Sequence, residues 1–378
     1  MNPLTTYQGL NLSAYREKLK NKKVVIWGCG PLGWSISLQL HKFSFPKCYF
    51  TSNSEQDSQK FSEYLLPIEA IRLALQSKAI ILISNSSFSK SIKMQLIQGG
   101  LERGRHFLDY YDIPRPELGI DVTGEIGTCS VEKFTSIISK LEDELQHAVN
   151  IDIGVFHNPM DHPQINKLIH QCSRHYFTTI KIPSIERKYL RRVANCTAHH
   201  IVFEIDDTIS KKSILNALNH VNSLREKGLF KIGDFESFVT ILINTTSRAK
   251  TDFLNEFNES TLHTFTRVRK VLKQITDYSK LLKLLDHNQN PVEHFDDLKW
   301  DLLAELTNAK RRSKEKCLCQ RIFPVISSDS SVLHCHLYKT PILHDSFLSS
   351  SVKKLIEKRS INDHCAHCQS YGLHRLDV

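Results

Sequence analysis

The stretch Lys22-Lys23-Val24-Val25-Ile26-Trp27-Gly28-Cys29-Gly30-Pro31-Leu32-Gly33-Trp34 decides how the first third of this chain is read. Four consecutive apolar residues, two of them β-branched valines, make a buried strand. Three glycines spaced G-x-G-x-x-G then open a helix that runs from Trp34 to His41. At such a turn the first glycine permits the tight bend, the second lets backbone approach a pyrophosphate, and the third packs helix against strand. The N-terminus of the helix favours an anion there. Gly28, Gly30 and Gly33 are therefore the candidate residues for binding a nucleotide or nucleotide-sugar.

Outward from this turn the alternation continues. A strand at Cys48–Thr51 should end in an acidic residue that grips a ribose hydroxyl, yet Ser52-Asn53-Ser54 stands there, which argues against NAD. Pro67–Gln76 reads as a helix, Ala79–Ser84 as a strand, and Lys90–Gln98 as a helix closed by Gly99-Gly100. This βαβ order implies a Rossmann-like parallel sheet over residues 1–113, with Pro114-Arg115-Pro116 as the boundary.

Past that boundary the same rhythm resumes and is longer. Strands are expected at Leu118–Thr123, Ile151–Phe156, Thr178–Ile182, Ile201–Ile205 and Phe238–Ile243. Helices are expected at Val131–Leu145, Gln164–His175, Ile185–Val193 and Lys212–Glu226. Repeated βα units of this length describe a full or partial parallel (β/α) barrel over residues 114–312, with chemistry at the C-terminal ends of its strands. The fold class is α/β throughout, with a small cysteine-bearing extension at 313–378.

Composition narrows the function classes. With 40% hydrophobic and 24% charged residues, the 378-residue chain has a globular balance, and no apolar run approaches the roughly 18–20 residues that span a bilayer. No basic start and apolar stretch of a secretory signal precedes Leu10, so a cytoplasmic location is expected, where thiols stay reduced. The formal charge of +10 and the runs at 18–23 and 310–314 read as solvated helix ends, and no nucleic-acid motif accompanies them.

Five of the ten cysteines lie beyond residue 316: Cys317, Cys319, Cys335, Cys365 and Cys368. Cys365-Ala366-His367-Cys368 is a chelate, because two intervening residues let both sulfurs face one centre. Phe323 to Cys335 reads as a hairpin with a Ser-Asp-Ser turn, which brings Cys319 and Cys335 together. Cys319, Cys335, Cys365 and Cys368 are thus a candidate metal set, with Cys317 an alternative to Cys319. A tetrahedral zinc site and an iron-sulfur cluster both suit four thiolates.

The region from Pro116 onward resembles the radical S-adenosylmethionine superfamily, specifically members with a SPASM or twitch-type extension. Pro116-Glu117-Leu118-Gly119-Ile120-Asp121-Val122-Thr123 resembles the first barrel strand. Phe156-His157-Asn158-Pro159-Met160-Asp161-His162-Pro163 is similar to the second-strand Gly-Glu-Pro-Leu-Leu-His-Pro motif, with Asn158 where the family has Glu. In the family a CxxxCxxC loop after the first strand holds the cluster that cleaves S-adenosylmethionine. Here that loop offers Gly124 to Thr128 and then Cys129 alone. A substitute set of Cys129, His157 and His162 would be unfamiliar beside their reading as barrel-mouth residues.

The resemblance implies a degenerate member that binds rather than initiates radical chemistry, a pseudoenzyme with an auxiliary iron-sulfur cluster in the tail. It would serve as an accessory component, with a protein or small-molecule partner, in a small-molecule or peptide modification pathway. An active iron-sulfur, nucleotide-dependent oxidoreductase or a radical-SAM-type enzyme with a non-standard cluster site is the alternative.

Overall fold

The computed structural model describes residues 19–42, 48–54, 63–84, 89–108, 117–145, 150–206, 208–233, 235–245, 264–270, 325–335 and 338–357. Two parallel sheets organise them, wound in two different ways, and the difference decides where each can hold a ligand.

The first sheet has the order β2-β1-β3-β4, with β1 at Lys23–Trp27, β2 at Cys48–Thr51, β3 at Ala79–Ile83 and β4 at Phe107–Leu108. All its pairings are parallel. From β1 the chain crosses to one side to make β2 and then returns to the other side to make β3. That reversal puts helices on both faces, since crossovers share one hand. Helix α1 (Pro31–Lys42) packs Ile36 and Leu40 against Val24, Ile26 and Leu82. Helices α2 (Pro67–Leu75) and α3 (Ser89–Gln98) cover the opposite face, with Ile71, Ala74, Ile92 and Leu96 on Val25, Ile81 and Ile83. The reversal also opens a crevice beyond the C-terminal ends of β1 and β3, where sheets of this kind take ligands.

The second sheet has nine strands in the order β14-β13-β10-β9-β8-β5-β15-β16-β17. Strands β5 (Glu117–Ile120), β8 (Asn150–Ile153), β9 (Thr178–Ile182), β10 (His200–Asp206), β13 (Phe238–Thr245) and β14 (Thr264–Lys270) lie side by side in chain order, all parallel. Winding without reversal keeps every helix on one face. Helices α4 (Val131–Leu145), α5 (Ile165–Ser173), α6 (Arg187–Val193) and α7 (Lys211–Glu226) bring Phe134, Leu141, Leu168, Leu190 and Val221 into one core with Ile120, Ile153, Ile180 and Phe203. Among the described residues the barrel is partial, because the outer strands β14 and β17 (Tyr338–His344) do not pair with each other.

Between the parallel strands lie two small hairpins: β6 (Thr123–Gly124) with β7 (Gly127–Thr128), and β11 (Lys231–Ile232) with β12 (Phe235–Glu236).

The hairpin expected in the tail is present, and it is continuous with this sheet. β15 (Val325–Ile326) runs antiparallel to β16 (Val332–Cys335) and parallel to β5, and β17 (Tyr338–His344) completes the meander. The Ser327–Ser331 turn closes through Ser327 N–H to Ser331 O at 2.9 Å and Ser331 N–H to Asp329 Oδ1 at 2.9 Å. Phe347 and the short helix α8 (Val352–Glu357) bury Val352 and Leu355 in the same core as α4. Lys140 Nζ ties them down by donating to the carbonyls of Phe347, Leu348 and Ser350.

Helix α1 also docks the two sheets together. Gln39 Nε2 donates to Asn150 Oδ1 at 3.3 Å, and Asn150 Nδ2 donates to Ser35 Oγ at 3.3 Å, all three residues being buried. Beside them the Trp34 ring meets Phe235 edge-on at 5.0 Å. The helix that begins at the glycine turn thus ends against the N-terminal edge of the partial barrel.

Candidate functional site

The three glycines of the turn have three different reasons for being there. Gly28 sits at φ +130°, and a Cβ on it would come within 2.7 Å of Ser84 Oγ. A Cβ on Gly33 would lie 2.1 Å from the carbonyl oxygen of Gly28, so only glycine lets α1 press this close to the end of β1. Among the described residues nothing lies within 4 Å of a Cβ on Gly30, and its backbone is not left-handed. The fold requires the first and third glycines; the second is not constrained by any described neighbour. Ser84, at the end of β3, locks the turn by donating its hydroxyl to the carbonyls of Trp27 at 3.1 Å and Gly28 at 3.0 Å.

Beyond β2 the Asn53 side chain donates to Gln95 on α3 at 3.0 Å, where a ribose-gripping carboxylate would stand. Trp27 Nε1 and Thr51 Oγ1, at the C-terminal ends of β1 and β2, are buried with no hydrogen-bond partner among the described residues. Buried polar atoms are nearly always paired. Both atoms lie within the packing of the first sheet, Trp27 being 1% exposed and Thr51 fully buried.

At the C-terminal edge of the second sheet, the loop after β5 is folded back on itself. Residues 123–128 form the β6–β7 hairpin, and Cys129 N–H closes it onto Val122 O at 2.8 Å. The Cys129 thiol is buried, bonds to Ser130 O, and has its pKa pushed up by that burial. His162 fastens the loop from the other side. Gln164 N–H donates to its Nδ1 at 3.1 Å, so the ring proton is on Nε2, which donates to Cys129 O at 2.8 Å. Both nitrogens of His162 are spent on structure.

The Pro159 region is likewise structural. Asn158 caps the short 3₁₀ turn Pro159–Asp161 by accepting from Met160 N–H at 3.1 Å. Arg192 on α6 donates to the carbonyls of Met160 and His162. Cys129, His157 and His162 accordingly do not converge as a ligand set, and among the described residues no group of three His, Cys, Asp or Glu side chains could hold a metal ion. Of the tail set, Cys335 lies on β16 opposite Tyr338; Cys317, Cys319, Cys365 and Cys368 lie outside the described residues.

Sequence reading missed one constellation altogether. Asp121 directly follows β5 and is 1% exposed; its Oδ1 accepts from Val155 N–H at 2.7 Å and Phe156 N–H at 3.1 Å, and its Oδ2 lies 3.5 Å from His157 Nδ1. Burial raises the Asp121 pKa above the ordinary carboxylate value, against the lowering effect of those amides and of His157. On the adjacent strands Lys181 Nζ pairs with Asp152 Oδ2 at 3.0 Å. Burial opposes the Lys181 ammonium, but Asp152, Glu204 and Glu117 outweigh it and lift its pKa above the usual lysine value. The available signal was period-two alternation: Leu118, Ile120, Ile151, Ile153, Ile180 and Ile182 face the helices, so the residues between them face the other way.

Fold and sites together define an α/β protein with a Rossmann-like glycine turn docked onto a partial parallel barrel with a polar inner face. No family model matches the chain, and no curated protein matches it in sequence. Among solved structures, BtrN in an open conformation is similar at 7% identity and a TM-score of 0.33. The match covers 70% of this chain and 89% of that one. At that distance the likeness is a faint one of layout, and the chemistry has to be read from this chain's own residues. Among the described residues no helix is long and apolar enough to cross a membrane.

Proposed function

We propose that this chain is a binding or accessory component of a small-molecule or peptide modification pathway, built on a radical-SAM-like partial barrel that does not cleave S-adenosylmethionine. The observation that carries this reading is the loop after β5. It is a closed hairpin stapled by His162, and its one cysteine is a buried thiol turned into the core. A cluster of that kind needs thiolates, and burial favours the protonated thiol. The glycine turn is the nucleotide or nucleotide-sugar site of this reading, supported by the unobstructed Gly30 among the described residues.

In the tail, Cys319, Cys335, Cys365 and Cys368, with Cys317 as an alternative, would hold an auxiliary iron-sulfur cluster or a zinc ion. A cluster would supply electron transfer, and zinc would staple the segment. Anaerobic purification followed by iron, sulfide and zinc analysis tests the reading. About four irons or one zinc per chain, lost on replacing Cys365 and Cys368, is the expected result. About eight irons, or 5′-deoxyadenosine release above a protein-free control when S-adenosylmethionine and a reductant are added, would overturn it.

A further inference from the structure

The strongest unassigned feature is a row of cations between helices α6 and α7. The two helices cross from neighbouring strands of one sheet and pack side by side, with Leu190 and Val193 of α6 and Ala217, Val221 and Leu224 of α7 in the shared core. At 3.6 residues per turn those core stripes fix what flanks them. Arg187 and Arg191 stand one turn apart on one flank of α6, and His220 and Lys227, two turns apart, on one flank of α7. Both arginines and Lys227 lie within electrostatic reach of the His220 ring, so the two flanks face each other.

The opposite flank of α7 gives the contrast. There Arg225 has its carboxylate, bonding to Glu236 Oε1 at 2.7 Å. Arg187, Arg191 and Lys227 are exposed, and among the described residues no carboxylate pairs with any of them. Glu186, beside Arg187, is engaged by Lys188 at 3.0 Å, and Glu226 lies about 100° round the helix from Lys227. His220 Nε2 is buried here with no hydrogen-bond partner among the described residues, although buried polar atoms are nearly always paired. Burial and the three cations hold the His220 pKa below the ordinary histidine value, which keeps the ring from adding a fourth charge at neutral pH. The fold thus leaves a line of positive charge without its counterpart.

We propose that the groove between α6 and α7 binds an acidic peptide segment of a partner protein, whose successive carboxylates pair with Arg187, Arg191 and Lys227. The spacing favours an extended partner. Lys227 lies seven residues beyond His220, about 10 Å along α7, so the cations form a line longer than a single phosphate group spans. A run of carboxylates complements such a line, and the guanidinium fork suits each carboxylate in turn. His220 is covered and senses the partner without touching it. Anions on the arginines relieve the field at its ring and raise its pKa, so binding takes up protons and affinity rises as pH falls. The proposal depends neither on the glycine turn nor on the tail cysteines.

The test uses the full chain and a dye-labelled N-acetyl hexaglutamate peptide, with inorganic phosphate and a short single-stranded RNA as competing anions. Fluorescence anisotropy at low ionic strength should show saturable binding that weakens with added salt. Arg187→Gln combined with Arg191→Gln should weaken it about fivefold or more, whereas Lys188→Gln, which removes a neighbouring cation already paired with Glu186, should leave it within about twofold. The altered side chains are exposed, so both variants should melt with the wild type. The His220 ring signal of ¹³C-histidine-labelled protein, assigned with His220→Gln, should titrate at higher pH once the peptide is bound, with tighter binding at about pH 6 than at about pH 8. Absence of hexaglutamate binding, equal weakening by Lys188→Gln and by the arginine pair, or an unmoved His220 titration overturns the proposal. So does tighter binding of phosphate or RNA that the arginine variant abolishes, which assigns the groove to another anion.

Discussion

Alanine at position 33 should damage this protein far more than alanine at position 30, although both replace a glycine of the same turn. The added Cβ at 33 falls 2.1 Å from Gly28 O, a backbone atom that no rotamer change can move, so α1 must retreat from β1 by roughly an ångström to reach a tolerable contact. Retreat loosens Ile36 and Leu40 from their core and strains the Gln39–Asn150–Ser35 contacts to the second sheet. Overpacking of this kind costs about 1–3 kcal/mol, and a rigid partner places it at about 3 kcal/mol or more. At about 2–4 °C per kcal/mol, the melting temperature of the first cooperative transition should fall by roughly 6–12 °C. Gly30→Ala meets open space and should melt within about 2 °C of wild type, since surface substitutions usually stay within about 0.5 kcal/mol. On the proposed nucleotide-binding role of the turn, its effect falls on binding, as loss of a rise in melting temperature on adding nucleotide. Equal melting temperatures for the two variants would refute the assignment of these roles.

Ser84→Ala removes the hydroxyl that bridges Trp27 O and Gly28 O and should cost about 1–2 kcal/mol, measured by urea unfolding with an unchanged m-value. His162→Leu leaves Cys129 O and Gln164 N–H without their ring partners and should cost about 2–4 kcal/mol, with faster amide exchange across residues 122–130. Arg225→Met breaks the bonds at 2.7 Å to Glu236 and to Ser237 O and should cost about 1–3 kcal/mol, partly relieved by Glu236→Gln. Burial pushes Cys196 up to about 12 and Cys48 up to about 11, above a free thiol. A pKa raised on folding gives stability that is whole below the unfolded value and is lost as pH rises toward the folded one. Unfolding midpoints should therefore drop between about pH 9 and pH 11, and both thiols should resist iodoacetamide at pH 8 until denaturant is added.

Much of the fold was legible because its signals are local. The strands at Cys48–Thr51 and Thr178–Ile182 and the helix at Val131–Leu145 have the expected bounds, since β-branched runs and 3.6-residue periodicity act over neighbouring residues. Other bounds moved by a few residues where tertiary contacts end an element: the strand expected through Thr123 stops at Ile120, because Asp121 turns its carboxylate to the amides of the next loop. Strand β14, at Thr264–Lys270, was not anticipated, for it owes its place to β13 beside it.

By itself the sequence determined the α/β class, the glycine turn and the absence of an acidic residue after β2, and the single cysteine after the strand at 117–120. These are statements about residue type and spacing along the chain. Tertiary structure alone decided that Gly33 and Gly28 serve the fold while Gly30 faces open space, because that depends on which atoms lie across the crevice. It decided that His162 is a staple and His157 the partner of a buried carboxylate, though the two stand five residues apart in one motif-like stretch. A histidine's role is set by what faces each ring nitrogen, and here those partners come from Cys129 and Asp121, more than thirty residues away in sequence.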